Sequence, residues 1–347
     1  MKSHPFSRWT RLALGGMGSC VLALTVGANV STDPTGFSGR VTERQVYLMG
    51  TRATLLSWEP SRADAVAALD RMLVTLEATD RELSTWRPES LLSRLNRQPV
   101  AESWEAPDSL CHLLGELTTW TQLSSGAFNP AVGSLIAVWG LRGTGVIPAR
   151  PTVERALARA DLDHFAVQTS PCSIARLVDA TLDSGAFGKG AALDRVASLG
   201  ESGLVDLGGQ LALFGASPVG GWPVRIAHPR HREIPVVELS LTSGSLAVSG
   251  GSERDRWIDG ERVGHIVDPR NGRPVNRSLS VAVWHERALA ADAIATALYV
   301  MGIDEGREWA EAHGIAACFV VPHGSGASSS ADDVDIIATT PFRIRFF

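Results

Sequence analysis

The chain has 347 residues, 44% of them hydrophobic and 20% charged, with Lys+Arg 32 against Asp+Glu 37 and a formal charge of −5. These proportions belong to a globular protein and exclude a disordered or coiled-coil chain. The mild acidity also excludes a general nucleic-acid binder, which needs clustered Lys and Arg.

Lys2, Arg8 and Arg11 precede an uncharged, mostly apolar run over residues 12–26, and Val26-Gly27-Ala28 supplies small residues of the kind a signal peptidase accepts. Residues 1–28 therefore read as a secretory signal, with an uncleaved anchor or lipidation at Cys20 as the alternatives. The expected location is exported and periplasmic, either free or tethered to the inner membrane through the N-terminus. Removing this segment takes away three basic residues and leaves a charge of −8. Cys111, Cys172 and Cys318 remain, none in a CxxC pair. Buried thiols or one incidental bridge account for them better than a metal site does.

Residues 29–42 are polar and read as a leader; 43–347 read as a single large domain. Strands are expected over 45–58, around Met49-Gly50-Thr51. Ser61 then caps a long helix with Val66, Leu69, Leu73, Leu76 and Leu83 on one face. Ser84-Thr85-Trp86-Arg87-Pro88 breaks it. A short helix over 90–96 follows, then one over 110–123 that stops at Ser124-Ser125-Gly126. Helical pattern returns over 151–160, and strand and turn signals run on to 181. A Gly-punctuated turn leads into a helix over 189–199, and 203–215 reads as strand, turn, strand. Residues 236–248 and 279–284 are β-rich, 288–301 and 305–312 are helical, and 318–321, 336–339 and 342–347 read as strands. The Ser- and Gly-rich stretch 324–333 is a loop. The sum is an α+β fold, antiparallel sheets flanked by helices.

Four segments carry more Gly, Asp, His and Lys than ordinary connections need. Asp183-Ser184-Gly185-Ala186-Phe187-Gly188-Lys189-Gly190 leads into a helix bearing Asp194. Glycines there let backbone N–H groups approach a phosphate, and Lys189 adds a point charge; a plain turn fits the same residues. Val205-Asp206-Leu207-Gly208-Gly209-Gln210 fits a tight hairpin with glycines at positive φ. His265 stands before Asp268-Pro269-Arg270-Asn271-Gly272, a strong turn signal, and imidazole is the side chain whose unperturbed chemistry suits a general base. Asp292 and Thr296 lie four apart, on one face of an otherwise small and apolar helix. A carboxylate there is costly unless paired. Two readings stay open: a hydrogen-bonded buried cap, or two oxygens offered to Mg²⁺, which takes few protein ligands and leaves the rest to phosphate and water.

Taken in chain order, these segments resemble the ApbE family of flavin transferases. The resemblance runs from Met49-Gly50-Thr51 through Leu83-Ser84-Thr85-Trp86-Arg87-Pro88-Glu89-Ser90, closed by Leu95-Asn96, and through Gly126-Ala127-Phe128-Asn129-Pro130. It continues with Asp183 through Lys189-Gly190 to Asp194, then Asp206-Leu207-Gly208-Gly209, Ser249-Gly250, His265 to Gly272, and Ala291-Asp292-Ala293-Ile294-Ala295-Thr296. The resemblance implies the ApbE α+β fold and transfer of FMN from FAD to a protein threonine, with AMP released. It implies a FAD cleft lined by Met49, Trp86, Ala127, Phe128, Asn129, Asp183, Lys189 and Ile266. Mg²⁺ is implied on the Ala186 carbonyl, the Asp292 carboxylate and the Thr296 hydroxyl. His265 is the candidate base for the attacking threonine. The chain departs from the family pattern at Asn129 and Gln210, where Asp is usual, at Trp86 for Tyr, at Ser184 for Leu and at Asn271 for Thr.

Two other activities fit the same residues: FAD binding without transfer, and Mg²⁺-dependent hydrolysis of FAD to FMN and AMP. The family's acceptor pattern ends in Thr, and Ser325-Gly326-Ala327-Ser328, its nearest match here, carries Ser. The acceptor is therefore expected on another protein, an exported or membrane-bound redox subunit.

Overall fold

The computed structural model describes residues 40–251, 255–258, 260–324, 330 and 333–346. The signal segment with Cys20, the leader up to residue 39, the Ser325–Ser328 segment and most of the 324–333 stretch lie outside the described residues. The first strand starts at Arg40, inside the stretch read as leader.

An eight-stranded antiparallel sheet forms the centre. Its strands, in spatial order, are Arg40–Leu48, Thr51–Glu59, Gly203–Leu207, Gln210–Phe214, Gly244–Gly250, Ser280–His285, Ala316–Pro322 and Val334–Ala338. Spatial order here is also chain order. Alternation along Thr51–Glu59 puts Ala53 and Leu55 on one face and Leu56 and Trp58 on the other. The first face packs on helices Arg62–Leu83 and Gly188–Ala197, joined near one end by Ala288. Against the second face lie the hairpin Trp222–Ala227/Pro235–Leu241 and the helix Thr340–Phe346.

The long excursion between the second and third strands carries most of the remaining helices and a small sheet in which Cys172–Arg176 lies between Ser103–Glu105 and Phe165–Thr169. Helix Asp108–Leu123 packs on this small sheet, and Cys111 bridges to Cys172. The incidental-bridge reading of the cysteines therefore holds. Cys318 is a buried thiol, pushed up to about 12 by burial, and is unreactive as a nucleophile. Reducing the bridge, or making Cys111→Ser, should lower unfolding stability by ~2–4 kcal/mol in a urea titration, with reductant having no further effect on the variant.

Ser61 caps the first helix by accepting from the Asp64 N–H at 3.1 Å, as expected. Val66, however, is 37% exposed; Ala65, Ala68, Leu69, Met72, Leu76 and Leu83 make the buried stripe. The stretch read as a strand over 342–347 is helical over its described residues, 342–346. Pro341 stands in the first turn of the helix Thr340–Phe346, where its missing N–H costs nothing. Phe342 and Phe346, one turn apart, meet edge to face with centroids 4.8 Å apart. The apolar alternation there misled because it is equally an i, i+4 pair. No helix among the described residues is long and apolar enough to cross a membrane.

Candidate functional site

Two hairpin tips meet at one end of the sheet. Met49 (φ 51) and Gly50 (φ 71) join the first two strands. Gly208 (φ 62) and Gly209 (φ 88) join the third and fourth. Both are two-residue turns with two left-handed residues, the geometry that matches strand twist. A non-glycine residue such as Met49 there is held by its surroundings. A Cβ on Gly208 would lie 2.5 Å from the Thr51 hydroxyl, so only glycine lets the tips touch. The Met49 side chain reaches Gly188, its Cε 3.5 Å from where a Cβ would stand.

The Gly-rich approach runs beneath these tips. Asp183 caps the short turn Ser184–Ala186, accepting from the Gly185 N–H at 2.7 Å. Helix Gly188–Ala197 follows and packs against helix Ala288–Met301. A Cβ on Gly190 would stand 2.7 Å from the Ala288 carbonyl and 3.0 Å from the Asp292 Cβ, so glycine sets this close approach. Asp194 fixes the pairing from below by accepting from the Ala288 and Leu289 N–H groups at 2.5 and 3.3 Å. It thereby caps the second helix from outside it. Gln210, in place of the family's usual Asp, donates to the Ala288 carbonyl at 2.8 Å.

Asp292 is 5% exposed. Its Oδ2 accepts from the Gly190 N–H at 3.1 Å, and Lys189 Nζ stands 3.5 Å from its Oδ1. Burial pushes the carboxyl up from its ordinary value, and Lys189 and the Gly190 N–H pull against that. Asp206, next to the glycine tip, is pushed up to about 6 by burial, against the Gly209 N–H and the charges of Arg52 and Lys189. Lys189 thus serves two buried carboxyls. Every residue of helix Ala288–Met301 is buried except Thr296. Its hydroxyl lies 3.4 Å from that of Ser249.

These donors fit Mg²⁺. Among the described residues no three His, Cys, Asp or Glu side chains cluster as a metal site. An ion here would rest on one carboxylate and neutral oxygens, which is how Mg²⁺ binds when phosphate and water complete its shell. Ala186 ends the turn just before the helix, and the N–H one turn on from its carbonyl, that of Gly190, is drawn to Asp292.

A second group gathers around Trp86. Ser90 and Ser93 hydrogen-bond to the Ser84 carbonyl, and both amide atoms of Asn96 clasp Leu182. This ties the Leu83–Asn96 motif to the residue before Asp183. Asp183 N–H donates to the Pro130 carbonyl at 2.8 Å, which brings Asn129 alongside. Asn129 Oδ1 accepts from the Ala131 N–H, a turn-holding role. Ala127 and Phe128, expected to line the FAD cleft, are instead buried in the core, and neither presents an open surface to a ligand. Trp86 is 71% exposed.

His265 belongs to a third group. Its ring Nδ1 lies 2.8 Å from Asp255 Oδ1, and Arg262 holds the other carboxylate oxygen at 2.5 and 3.0 Å. Burial would raise the Asp255 carboxyl, but hydrogen bonds from His265 and Arg262 outweigh it and bring it down to about 2. An ionised Asp255 accepts a hydrogen bond from Nδ1–H, which leaves Nε2 as the accepting nitrogen. Burial, with a smaller contribution from Asp255, pushes Tyr299, one turn beyond Thr296, up to about 12. Ile266 is half-buried against the same core. The turn after it is structural: Asp268 accepts from Arg270 and Asn271.

The structure thus gathers Met49, Lys189, Asp292 and Thr296 with Asp206 and Ser249, ties Asn129 to them through Asp183, and joins the Trp86 loop through Arg142, which bonds both Thr85 and Asp183. Sequence reasoning missed Asp255 and Arg142. The first is hidden in a run of charges, the second in a loop with no motif.

A model of the ApbE family matches residues 49–319. A Klebsiella pneumoniae protein named FAD:protein FMN transferase is 29% identical over 326 residues, which cover 89% of this chain and 92% of that protein. A Treponema pallidum protein of the same name is 31% identical over 318 residues, covering 83% and 87%. The apo crystal structure of the Pseudomonas stutzeri flavinyl transferase ApbE matches with a TM-score of 0.75 at 28% identity, covering 89% of this chain and 98% of that one. With the family's segments present in order and its model matched over most of the chain, the chain belongs to the ApbE family.

Proposed function

We propose that the protein is a Mg²⁺-dependent FAD:protein FMN transferase, moving FMN from FAD onto a threonine hydroxyl of another, exported protein. The observation that carries this reading is the buried Asp292 carboxylate, one turn from the half-buried Thr296 hydroxyl and against the Lys189–Gly190 helix start. The names of the relatives support the activity.

In the reaction a bond forms between the threonine oxygen and the FMN-side phosphorus, and the phosphoanhydride bond to AMP breaks. Bound Mg²⁺ would supply charge neutralisation on the pyrophosphate oxygens. Asp292, Thr296 and the Ala186 carbonyl would hold it. Lys189 offers a positive charge to phosphate at the start of its helix. Trp86 presents an open ring face to a planar group. His265 Nε2 accepts the threonine proton, with Asp255 holding the ring in the required tautomer and balancing the charge it gains.

Export is part of the proposal. The basic and apolar N-terminal segment supports it, as does the Cys111–Cys172 bridge, since such bridges persist in oxidising compartments. The acceptor is then an exported or membrane-bound redox subunit. Incubation of the protein with FAD, Mg²⁺ and a threonine-bearing acceptor peptide, followed by intact-mass measurement, tests the reading. The expected result is a peptide heavier by one FMN, and no product in EDTA. AMP release with an unlabelled peptide would replace transfer with hydrolysis, and FAD binding with neither product would leave a carrier.

A further inference from the structure

We propose that Arg142, which lies outside the segments that carry the resemblance, is a positioning residue that grips the Trp86 loop and sets the affinity for the dinucleotide's planar ring. This rests on the proposed use of FAD. The guanidinium carbon lies 5.1 Å from the centroid of the Trp86 ring. Nη2 donates to the Thr85 hydroxyl at 2.5 Å and pairs with Asp183 Oδ2; Nη1 donates to the Thr85 carbonyl at 3.4 Å. One planar cation therefore joins three separate stretches of chain. Beside it opens a cavity of about 240 Å³ whose lining includes Thr85, Asn96, Arg142 and Leu182.

The physical consequence concerns an aromatic side chain that is otherwise in solvent. A Trp ring exposed to 71% would wander among rotamers, and binding a ligand ring would have to order it. Arg142 covers one face of the ring by cation–π contact and leaves the other for stacking. Its fork also holds the Asp183 carboxylate, so that the loop and the Gly-rich approach keep one spacing. Lysine cannot replace it, because a point charge cannot cover a ring and bond Thr85 and Asp183 together.

The test is FAD dependence of transfer in wild type, Arg142→Met, Arg142→Lys, Trp86→Ala and the double variant Arg142→Met/Trp86→Ala, with thermal melts to confirm folding. Arg142→Met should raise the KM for FAD about tenfold, with the loss falling on KM rather than kcat, and Arg142→Lys should not restore it. The double variant should lose little beyond Trp86→Ala alone, because the arginine acts through the ring. Titration of Arg142→Met with FMN and with AMP separately tells which ring Trp86 takes: weaker FMN binding assigns the flavin, weaker AMP binding the adenine. A KM for FAD within twofold of wild type in a folded Arg142→Met protein, or fully additive losses in the double variant, would overturn the role of Arg142. Failure of the wild-type protein to bind FAD would instead overturn the proposed function. Should Arg142→Met not fold, Thr85→Val, which removes one anchor of the fork, must raise KM in the same direction or the inference fails.

Discussion

Asp292→Asn should abolish FMN transfer, lowering kcat/KM by about 10³ or more, while the protein should melt no lower than wild type. The two halves of this expectation have one cause. The carboxylate is buried in an apolar helix, where its charge is costly, and its pKa is pushed up for that reason. Asparagine keeps the shape and removes that cost. It can still face the Gly190 N–H with its carbonyl oxygen. Lys189, which loses a partner, is partly exposed and keeps water. What disappears is the negative charge that the proposed Mg²⁺ site requires. Transfer assays across Mg²⁺ concentrations, paired with thermal melts, separate the outcomes. A variant that melts normally and still transfers FMN in a Mg²⁺-dependent manner removes Asp292 from the metal site.

His265→Ala should lower kcat by about 10²–10⁴, the range for a lost general base, and leave FAD binding intact. Asp255→Asn should give a smaller loss of the same sign, because an amide no longer favours the Nδ1–H tautomer or balances the charge on the ring. The double variant should be no worse than His265→Ala, since Asp255 acts only through the histidine. Rates at saturating FAD and acceptor, set beside FAD affinity, measure this. An unchanged kcat in folded His265→Ala would remove the base assignment and leave the Asp292 account standing.

What was legible in the sequence followed from local incompatibilities. An Asp among small apolar helical residues has to be paired or liganded, and its spacing from Thr296 already puts both on one face. Gly208-Gly209 marks its own hairpin because few other pairs take two left-handed residues in succession. Arg142 and Asp255 were not legible because their chemistry arises only on folding. Arg142 meets Asp183 across 41 residues and Thr85 across 57. Asp255 stands ten residues from His265, in a stretch where any acid could pair with any of several arginines. The 342–347 stretch failed for a different reason. Its alternating Phe and Ile satisfy both periods, and Pro341 was the residue that should have decided it.

The order of the central sheet has a consequence for how the molecule acquires activity. Among its eight strands each pairs with the one before it in the chain, and most of these pairs are joined by a turn or a modest excursion. The exception is the pairing of Thr51–Glu59 with Gly203–Leu207, whose ends are separated by the whole intervening excursion. Closing that span carries the largest entropic penalty in the sheet. It is also the event that brings the Met49 tip onto the Gly208 tip, so a chain that has not zipped this seam has no workable pocket, however complete the rest of its architecture.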